Sequence, residues 1–281
     1  MLLNQDAPRG LGAKRVVAVI FDWAGTTVDF GSLAPVRTLE RVFGEAGVPI
    51  TEDEARRDMG VAKRDHIAAL LSMPRVRTEW AKARGRAVMA TDVEVLYERF
   101  MPLQLDCLTE YSNVIAGVPE VVEKLRGDGI KIGSTTGYTR PMLDLLEKEA
   151  AREGYRPDCS VSPEEGGSGR PHPFMIYAAA VKMQVWPLGA IVKVGDTESD
   201  IKEGLNAGVW SVGVAGTGNM VGLPAAQFGA LTAEERARRV QKGRGALQAA
   251  GAHYVVDTLA DLGAVIEDVE ARLSGKSAAS V

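Results

Sequence analysis

The segment 15–27, RVVAVIFDWAGTT, decides the fold of this 281-residue chain. Its first seven residues, 15–21, form an unbroken apolar and β-branched run that stops at Asp22. Such a run is typical of a strand that is buried on both faces of a parallel sheet. Similar runs recur at 130–135, 190–194 and 209–214, and helical patterns separate them at 118–126, 140–152, 173–183 and 199–207. The alternation predicts a doubly wound, Rossmann-like α/β domain with a parallel sheet.

Polar and glycine-rich loops follow each predicted strand. They read DWAGTT at 22–27, STTGY at 134–138, GDTESD at 195–200 and VAGTG at 214–218. The ligand crevice of an open α/β sheet lies outside the carboxyl ends of its strands. We therefore expect these four loops to converge on one site.

The interval 32–111 interrupts the alternation with helical patterns alone, at 35–47, 51–60, 63–73 and 91–108. Thr51 and Thr91 are each followed three positions later by Glu, which is a helix start signal. We expect an inserted α-helical cap domain over the crevice, with hinges at 29–32 and 111–117. The predicted division is a flexible leader (1–14), an α/β core (15–31 and 112–273), the cap (32–111) and a disordered tail (274–281). The core would finish with a glycine-rich loop of unassigned role (216–230), a helix (232–249), a short strand (253–256) and a helix (259–273).

Composition excludes several classes of protein. The formal net charge is −4, so the chain offers no general basic field for nucleic acid or an anionic membrane. Its two cysteines, Cys107 and Cys159, form no metal-binding or disulfide pattern. The first 14 residues are too polar for a signal peptide, and no run approaches the ~18 apolar residues of a membrane helix. These features predict a cytoplasmic globular protein.

Acidic residues follow two of the predicted strands. Asp22 alone could equally be a turn or capping residue. Asp196 also follows a buried strand, and two carboxylates in one crevice repel each other unless a cation lies between them. Carboxylate and carbonyl oxygens are the ligands that Mg²⁺ prefers. Asp200 either caps the helix that begins near 199 or supports the metal ligands from behind.

Two further loops have features of an anion site. Thr136 and Gly137 precede a helix start, where free N–H groups suit a phosphate, although hydroxyl residues there also cap helices. Arg170 is a single cation in the loop GGSGRPHP, and the prolines on its carboxyl side restrict where it points. Thr26 either contacts phosphate or caps the first turn.

Together, these four loops resemble the haloacid dehalogenase superfamily of phosphoryl-transfer enzymes over the whole α/β core. The resemblance implies that Asp22 attacks phosphorus, and that Asp22, Asp196 and the Ala24 carbonyl bind Mg²⁺. The superfamily's usual Asp-x-Asp-x-Thr motif has a second Asp that protonates a leaving alcohol, and Ala24 stands there. Either catalysis is impaired or the leaving group is not an alkoxide.

The cap motif MGVAKRDH at 59–66 narrows the resemblance. With the core loops, it is similar to the phosphonatase family of that superfamily, from about 16 to 214. The resemblance implies a Schiff base between Lys63 and phosphonoacetaldehyde, and cleavage to acetaldehyde and phosphate in 2-aminoethylphosphonate degradation. Lys63 must then be largely unprotonated, and we expect burial or a nearby cation such as Arg64 to lower its pKa.

Several roles stay open at this stage. If 59–66 is helical, Met59, Lys63 and His66 share one face. His66 either moves protons at the imine or closes a helix face, and Met59 either covers the imine or belongs to the core. Ser32 stands where members of the family can carry cysteine. The two other histidines, His172 and His253, are interpreted as structural.

The resemblance also implies a homodimer formed through the cap helices. Other readings are a phosphatase, phosphomutase or dehalogenase on the same fold, or a binding module that has lost catalysis. Only the phosphonatase reading requires Lys63 to react with an aldehyde.

Overall fold

The computed structural model describes residues 12–275, which contain one six-stranded sheet. All neighbouring strands are parallel, and their order is β3-β2-β1-β4-β5-β6. The strands are β1 (Ala18–Phe21), β2 (Lys131–Thr135), β3 (Cys159–Val161), β4 (Ile191–Gly195), β5 (Trp210–Val214) and β6 (Tyr254–Val256). Most of the predicted leader and tail, 1–11 and 276–281, lies outside the described residues.

Strand β1 lies in the middle of the sheet and is buried on both faces. Val19 and Phe21 pack in one apolar cluster, whereas Ala18 and Ile20 pack in another. This alternation is the period of two that a strand imposes on its side chains. The predicted parallel α/β fold is therefore confirmed.

Strand β3 was not predicted from the sequence. It has three residues, lies at the edge of the sheet and pairs only with β2. A run of three residues between Asp158 and Ser162 is too short to produce a recognisable apolar pattern. Its pairing with β2 instead depends on the tertiary structure.

Five of the helices between β1 and β2 lie within residues 34–108. They are α1 (Ala34–Glu45), α2 (Glu52–Arg56), α3 (Lys63–Ser72), α4 (Pro74–Arg84) and α5 (Ala90–Leu108). Helices α1 and α3 both pack against α5. One apolar cluster runs from the sheet into these helices, so the boundaries of a separate cap domain stay a prediction. We call residues 34–108 the helical segment.

Of the two predicted helix starts, one is present in the structure and the other is not. Thr51 caps α2 and forms the expected capping box with Glu54. The start at Thr91 was wrong, because α5 begins at Ala90 and Asp92 accepts a hydrogen bond from the backbone of Met89 instead. Helix α4 was not predicted at all.

The remaining helices flank the sheet. They are α6 (Val118–Gly127), α7 (Arg140–Arg152), α8 (Pro163–Gly166), α9 (Phe174–Met183), α10 (Glu198–Ala207), α11 (Ala225–Ala230), α12 (Ala233–Ala249) and α13 (Leu262–Leu273). Within residues 12–275, no helix is both long enough and apolar enough to cross a membrane.

Strand register brings the polar loops to one edge of the sheet. Phe21 of β1 lies opposite Ser134 of β2 and Val194 of β4. Asp22 directly follows β1, and its backbone N–H donates to the Val194 carbonyl at 2.8 Å. The loops after β1, β2 and β4 therefore begin side by side, as the sequence predicted.

Truncating the central strand should destabilise the whole sheet. Ile20 is fully buried, and we expect Ile20→Ala to lower the free energy of unfolding by about 2–5 kcal/mol through the cavity it leaves. Urea unfolding measures the change. Val181→Ala, on the exposed face of α9, is the control and should change stability by less than about 0.5 kcal/mol. Equal midpoints for the two variants would contradict the buried position of β1.

Candidate active site

Asp22 is held at the carboxyl end of β1 by a buried arginine. Nη2 of Arg170 lies 2.7 Å from Oδ1 of Asp22, and both side chains are almost completely inaccessible to solvent. Burial raises the pKa of Asp22, and the charge of Arg170 opposes that rise. The pair brings an acidic oxygen and a fixed cation to the same point in the crevice.

Arg170 has further partners on three sides. Nη2 also donates to the Thr135 carbonyl at 2.7 Å, Nε donates to Glu203 at 2.9 Å, and Nη1 lies 3.0 Å from Asp200. Burial opposes the charge of Arg170, but the surrounding carboxylates outweigh it and raise the pKa above its ordinary value. The guanidinium therefore remains charged and fixed in orientation.

Lys193 is a second buried cation, and sequence reasoning missed it together with Glu203. Its Nζ lies 3.0 Å from Asp200 and 3.4 Å from Glu203, and it donates to the Thr135 hydroxyl at 2.9 Å. A lysine inside the apolar run AIVKV was the available signal, because a charge in a buried strand requires a partner. Nothing in the sequence identified that partner.

Asp196 is oriented by hydrogen bonds to both of its oxygens. The Thr26 hydroxyl donates to Oδ1 at 3.2 Å, and the Asn219 backbone N–H donates to Oδ2 at 2.7 Å. Thr26 therefore contacts a predicted metal ligand and does not line the cavity described below. Burial and the charge of Asp22 raise the pKa of Asp196 well above its ordinary value.

The charges around this edge of the sheet suit a divalent cation. Ligand oxygens of Asp22, Asp196 and Asp200 lie within 4.8 Å of one another. When all four buried carboxylates are ionised, they exceed the two buried cations that they face by two negative charges, which one divalent cation would neutralise. These groups are Asp22, Asp196, Asp200 and Glu203 on one side and Arg170 and Lys193 on the other.

Asp200 already uses both of its oxygens. Oδ2 accepts hydrogen bonds from the backbone and hydroxyl of Thr197, which forms a capping box at the start of α10. Oδ1 faces Arg170 and Lys193. The capping role is therefore present, and these contacts favour a position behind the metal ligands rather than among them.

Lys63 begins α3 and is almost completely buried, 5% exposed, above the ring of Tyr138. Burial lowers its pKa to about 8, and the charge of Arg170 acts in the same direction, whereas Asp22 opposes both. The positive end of the α3 dipole also disfavours a charged amine there. Near neutral pH, a larger fraction of Lys63 is therefore present as the free amine than for a lysine in water.

Arg64 does not lower the pKa of Lys63, so that expectation was wrong. Its side chain is exposed, pairs with Glu94 at 2.5 Å and lies over the ring of Tyr97. Consecutive residues of a helix point about 100° apart, which directs Arg64 away from the crevice. Arg170, distant in sequence, is the cation that acts on Lys63.

A small cavity of about 20 Å³ joins most of the predicted site residues. It lies between the helical segment and the loops at the sheet edge. Its lining includes Asp22, Ala24, Ser32, Met59, Lys63, Thr136, Gly137, Tyr138 and Arg170. This volume holds about one water molecule, so a substrate requires the helical segment to move away from the sheet.

Met59 and His66 differ from their predicted arrangement. Met59 precedes α3 in a turn, so the expected helical face with Lys63 was wrong for that residue, although Met59 does line the cavity. His66 is fully buried, and burial lowers its pKa to about 3, so the ring is neutral. Its nitrogens make no hydrogen bond of ordinary geometry with the described residues.

At the contact between the helical segment and the loop after β2, sequence reasoning missed the role of Tyr138 and the close packing at Gly137. Tyr138, in the quoted STTGY loop, lines the cavity, and its ring centroid lies 4.6 Å from Nζ of Lys63. Gly137 is required for close approach, because a Cβ there would collide with the carbonyl oxygens of Gly60 and Val61. Neither contact could be read from spacing, because the partners lie about 75 residues apart in the sequence.

The two remaining histidines lie away from the cavity. His172 is exposed and stacks on Phe174, and the backbone N–H of Ser211 donates to Nδ1 of His253. These contacts agree with structural roles for both.

Known proteins resemble the chain over nearly its whole length. A family model described as haloacid dehalogenase-like hydrolase matches residues 16–208. The phosphonoacetaldehyde hydrolase of Paraburkholderia xenovorans is 48% identical over 261 residues, covering 93% of this chain and 98% of that protein. The one from Bacillus cytotoxicus is 46% identical, covering 91% and 97%. The crystal structure of a phosphonoacetaldehyde hydrolase-like protein from Oleispira antarctica has a TM-score of 0.91 and 40% identity, covering 93% and 95%. The chain thus belongs to the haloacid dehalogenase-like hydrolases and, within them, to the phosphonoacetaldehyde hydrolase family.

Proposed function

We propose that the protein hydrolyses the phosphorus–carbon bond of phosphonoacetaldehyde to acetaldehyde and phosphate. One observation carries the proposal: a buried lysine with a pKa of about 8 lines the same cavity as a carboxylate held by an arginine. An amine that reacts with aldehydes and a nucleophile suited to phosphorus are thereby available to one small substrate. The identity to phosphonoacetaldehyde hydrolases supports the same substrate.

Lys63 would solve the problem of the leaving group. Direct cleavage of the phosphorus–carbon bond would expel a carbanion. The neutral amine of Lys63 instead attacks the aldehyde carbon, water leaves, and the resulting imine takes up a proton from solvent to become a protonated imine. When the phosphorus–carbon bond breaks, its electron pair moves into the imine and yields an enamine. The enamine then takes a proton at carbon, and hydrolysis of the resulting imine releases acetaldehyde and the free lysine.

Asp22 would accept the phosphoryl group. Its carboxylate oxygen attacks phosphorus as the bond to carbon breaks, which forms an aspartyl phosphate that water then hydrolyses to phosphate. Arg170, 2.7 Å from Asp22, stabilises the negative charge on the phosphoryl oxygens. Thr136 and Gly137 line the same cavity, where a hydroxyl and a backbone N–H would suit contacts with those oxygens.

We propose Mg²⁺ as the cofactor, held by Asp22, Asp196 and the Ala24 carbonyl, with Asp200 behind them. An all-oxygen donor set with two excess negative charges supports a hard divalent cation. When bound, this ion supplies further neutralisation of phosphoryl charge. Thr26 keeps Asp196 in orientation through its hydrogen bond to Oδ1.

The side chain at position 24 supports this reaction over ordinary phosphate-ester hydrolysis. A phosphatase or phosphomutase of this superfamily needs a carboxyl group there to protonate or deprotonate an alcohol, and Ala24 offers none. An enamine leaving group needs no such acid at that position. The missing carboxyl group and the buried lysine are therefore complementary features of one mechanism.

Two residues are predicted to act near the imine. Met59 forms part of the cavity wall and would limit access of water to it. His66 is neutral, fully buried and not part of the cavity lining, so its predicted role in moving protons at the imine stays a prediction. A cytoplasmic location, a homodimer through the cap helices and a place in 2-aminoethylphosphonate degradation stay predictions.

Borohydride trapping tests the Schiff base directly. Reduction during turnover of phosphonoacetaldehyde should convert the imine to a stable secondary amine, because borohydride reduces C=N bonds irreversibly. Peptide mapping by mass spectrometry should locate the adduct at Lys63, and the Lys63→Arg protein treated identically is the control. Continued turnover with no adduct would contradict the proposal.

Lys63→Arg should abolish cleavage while inorganic phosphate still binds. The guanidinium stays protonated and forms no imine, so kcat should fall on the order of 10³-fold or more. Phosphate affinity, measured by calorimetry, should be retained because Asp22 and Arg170 are intact. Lys202→Arg, the same substitution at an exposed lysine of α10, should keep wild-type turnover. Retained cleavage in Lys63→Arg would rule out the imine.

The pH profile should report the ionisation of Lys63. The free amine is the nucleophile, so kcat/KM should increase with pH below about 8 and level off above it. Steady-state rates between pH 6 and 10 measure the pH at which kcat/KM levels off. Arg64→Gln should leave that pH unchanged, because Arg64 points to solvent. A rise in kcat/KM that continues up to the ordinary pKa of lysine would contradict the buried environment of Lys63.

A further inference from the structure

The loop after β5, for which sequence patterns indicate no role, contacts the helical segment at Arg56. Arg56 ends α2, and Asn219 lies in the loop and is 3% exposed. Nη1 of Arg56 donates to the Asn219 side-chain oxygen and to its backbone carbonyl, both at 3.1 Å. In return, the Asn219 side-chain nitrogen donates to the Arg56 backbone carbonyl at 3.1 Å. We call this reciprocal contact the Arg56–Asn219 latch.

The same guanidinium also reaches the connection between β1 and α1. Nη1 of Arg56 donates to the carbonyls of Gly31 and Ser32, at 3.0 and 3.3 Å. Asp29, Gly31 and Ser32 all have positive φ, near 53°, 89° and 51°. Non-glycine residues seldom adopt this conformation, so a surrounding contact must hold it. Arg56 provides such a contact.

Asn219 connects the latch to the metal-binding carboxylate. Its backbone N–H donates to Oδ2 of Asp196 at 2.7 Å, the shorter of the two hydrogen bonds that orient this side chain. A Cβ on Gly218 would collide with Asp196, so the loop backbone lies directly against the carboxylate. A displacement of Asn219 must therefore disturb Asp196.

We propose that Arg56 and Asn219 are positioning residues, and that their latch couples closure of the helical segment to the orientation of Asp196 for a divalent cation. The closed segment holds Asn219 through Arg56, and Asn219 holds the carboxylate in the orientation that binds metal. By thermodynamic reciprocity, cation binding then favours the closed segment to the same extent. The inference rests on the metal site of the proposed function and on no step of the proposed chemistry.

A charge-assisted hydrogen bond is stronger than a neutral one, and only part of its free energy is transmitted to a second site. A loss of cation affinity of roughly fivefold to tenfold is the corresponding expectation. A merely structural contact would lower stability and leave cation affinity unchanged.

Two variants separate the latch from the metal ligand itself. Asn219→Ala removes the side chain but keeps the backbone N–H that binds Asp196. Arg56→Gln removes the other half of the latch from the opposite side. Arg57→Gln is the matched control, because Arg57 is the next residue and its side chain is exposed.

Calorimetric titration with Mg²⁺ in the absence of substrate measures affinity, and hydrogen–deuterium exchange with and without Mg²⁺ measures closure. We expect Mg²⁺ to slow exchange at residues 29–34 and 216–222 in the wild-type protein and in Arg57→Gln. Asn219→Ala and Arg56→Gln should bind Mg²⁺ about fivefold to tenfold more weakly and lose that protection.

Each other outcome overturns the proposal. If the wild-type protein binds Mg²⁺ without protection of these residues, the latch does not couple the two events. If both variants keep wild-type affinity and protection, the contact is merely structural. If the wild-type protein binds no divalent cation, the metal site of the proposed function fails as well. Because the wild-type exchange pattern needs no substitution, the proposal remains testable even if a variant misfolds.

Discussion

The buried guanidinium of Arg170 is the constraint on which the site depends. It is inaccessible to solvent, so its charge must be matched by carboxylates in the same place, and Asp22, Asp200 and Glu203 come from two different elements to match it. The carboxylates exceed the cations, and this excess makes the sheet edge suitable for a divalent ion. The proposed nucleophile, metal ligands and phosphate contact therefore belong to one network of buried charges.

The helical segment completes the site by contact with three core loops. Nη1 of Arg170 donates to the Gly60 carbonyl at 3.3 Å, and the Ser199 hydroxyl donates to the Met59 carbonyl at 3.0 Å. Gly137 allows the same turn to approach the loop after β2. The low pKa of Lys63 arises chiefly from its burial beneath this turn and against Tyr138.

Sequence patterns predicted the features that depend on neighbours along the chain. The buried run before Asp22 predicted a central strand, and the Thr51–Glu54 pair predicted the capping box of α2. Errors arose where local signals were weak or shared. Asp92 replaced Thr91 as the residue that caps α5, because its carboxylate also pairs with Arg86 at 2.6 Å. The edge strand β3 has too few residues to carry a pattern of its own.

The same distinction between local sequence and tertiary structure applies to the candidate active site. The sequence alone determined which loops carry the chemistry, because parallel strands bring their carboxyl ends to one edge whatever the details of packing. It also determined that Ala24 offers no acid, since that depends only on residue type. Only the tertiary structure decided that Glu203 pairs with both Arg170 and Lys193, that Arg64 faces solvent, and that Asn219 links the helical segment to Asp196. The physical reason is that burial and charge pairing depend on distance in space, which strand and helix periodicity does not encode between distant segments.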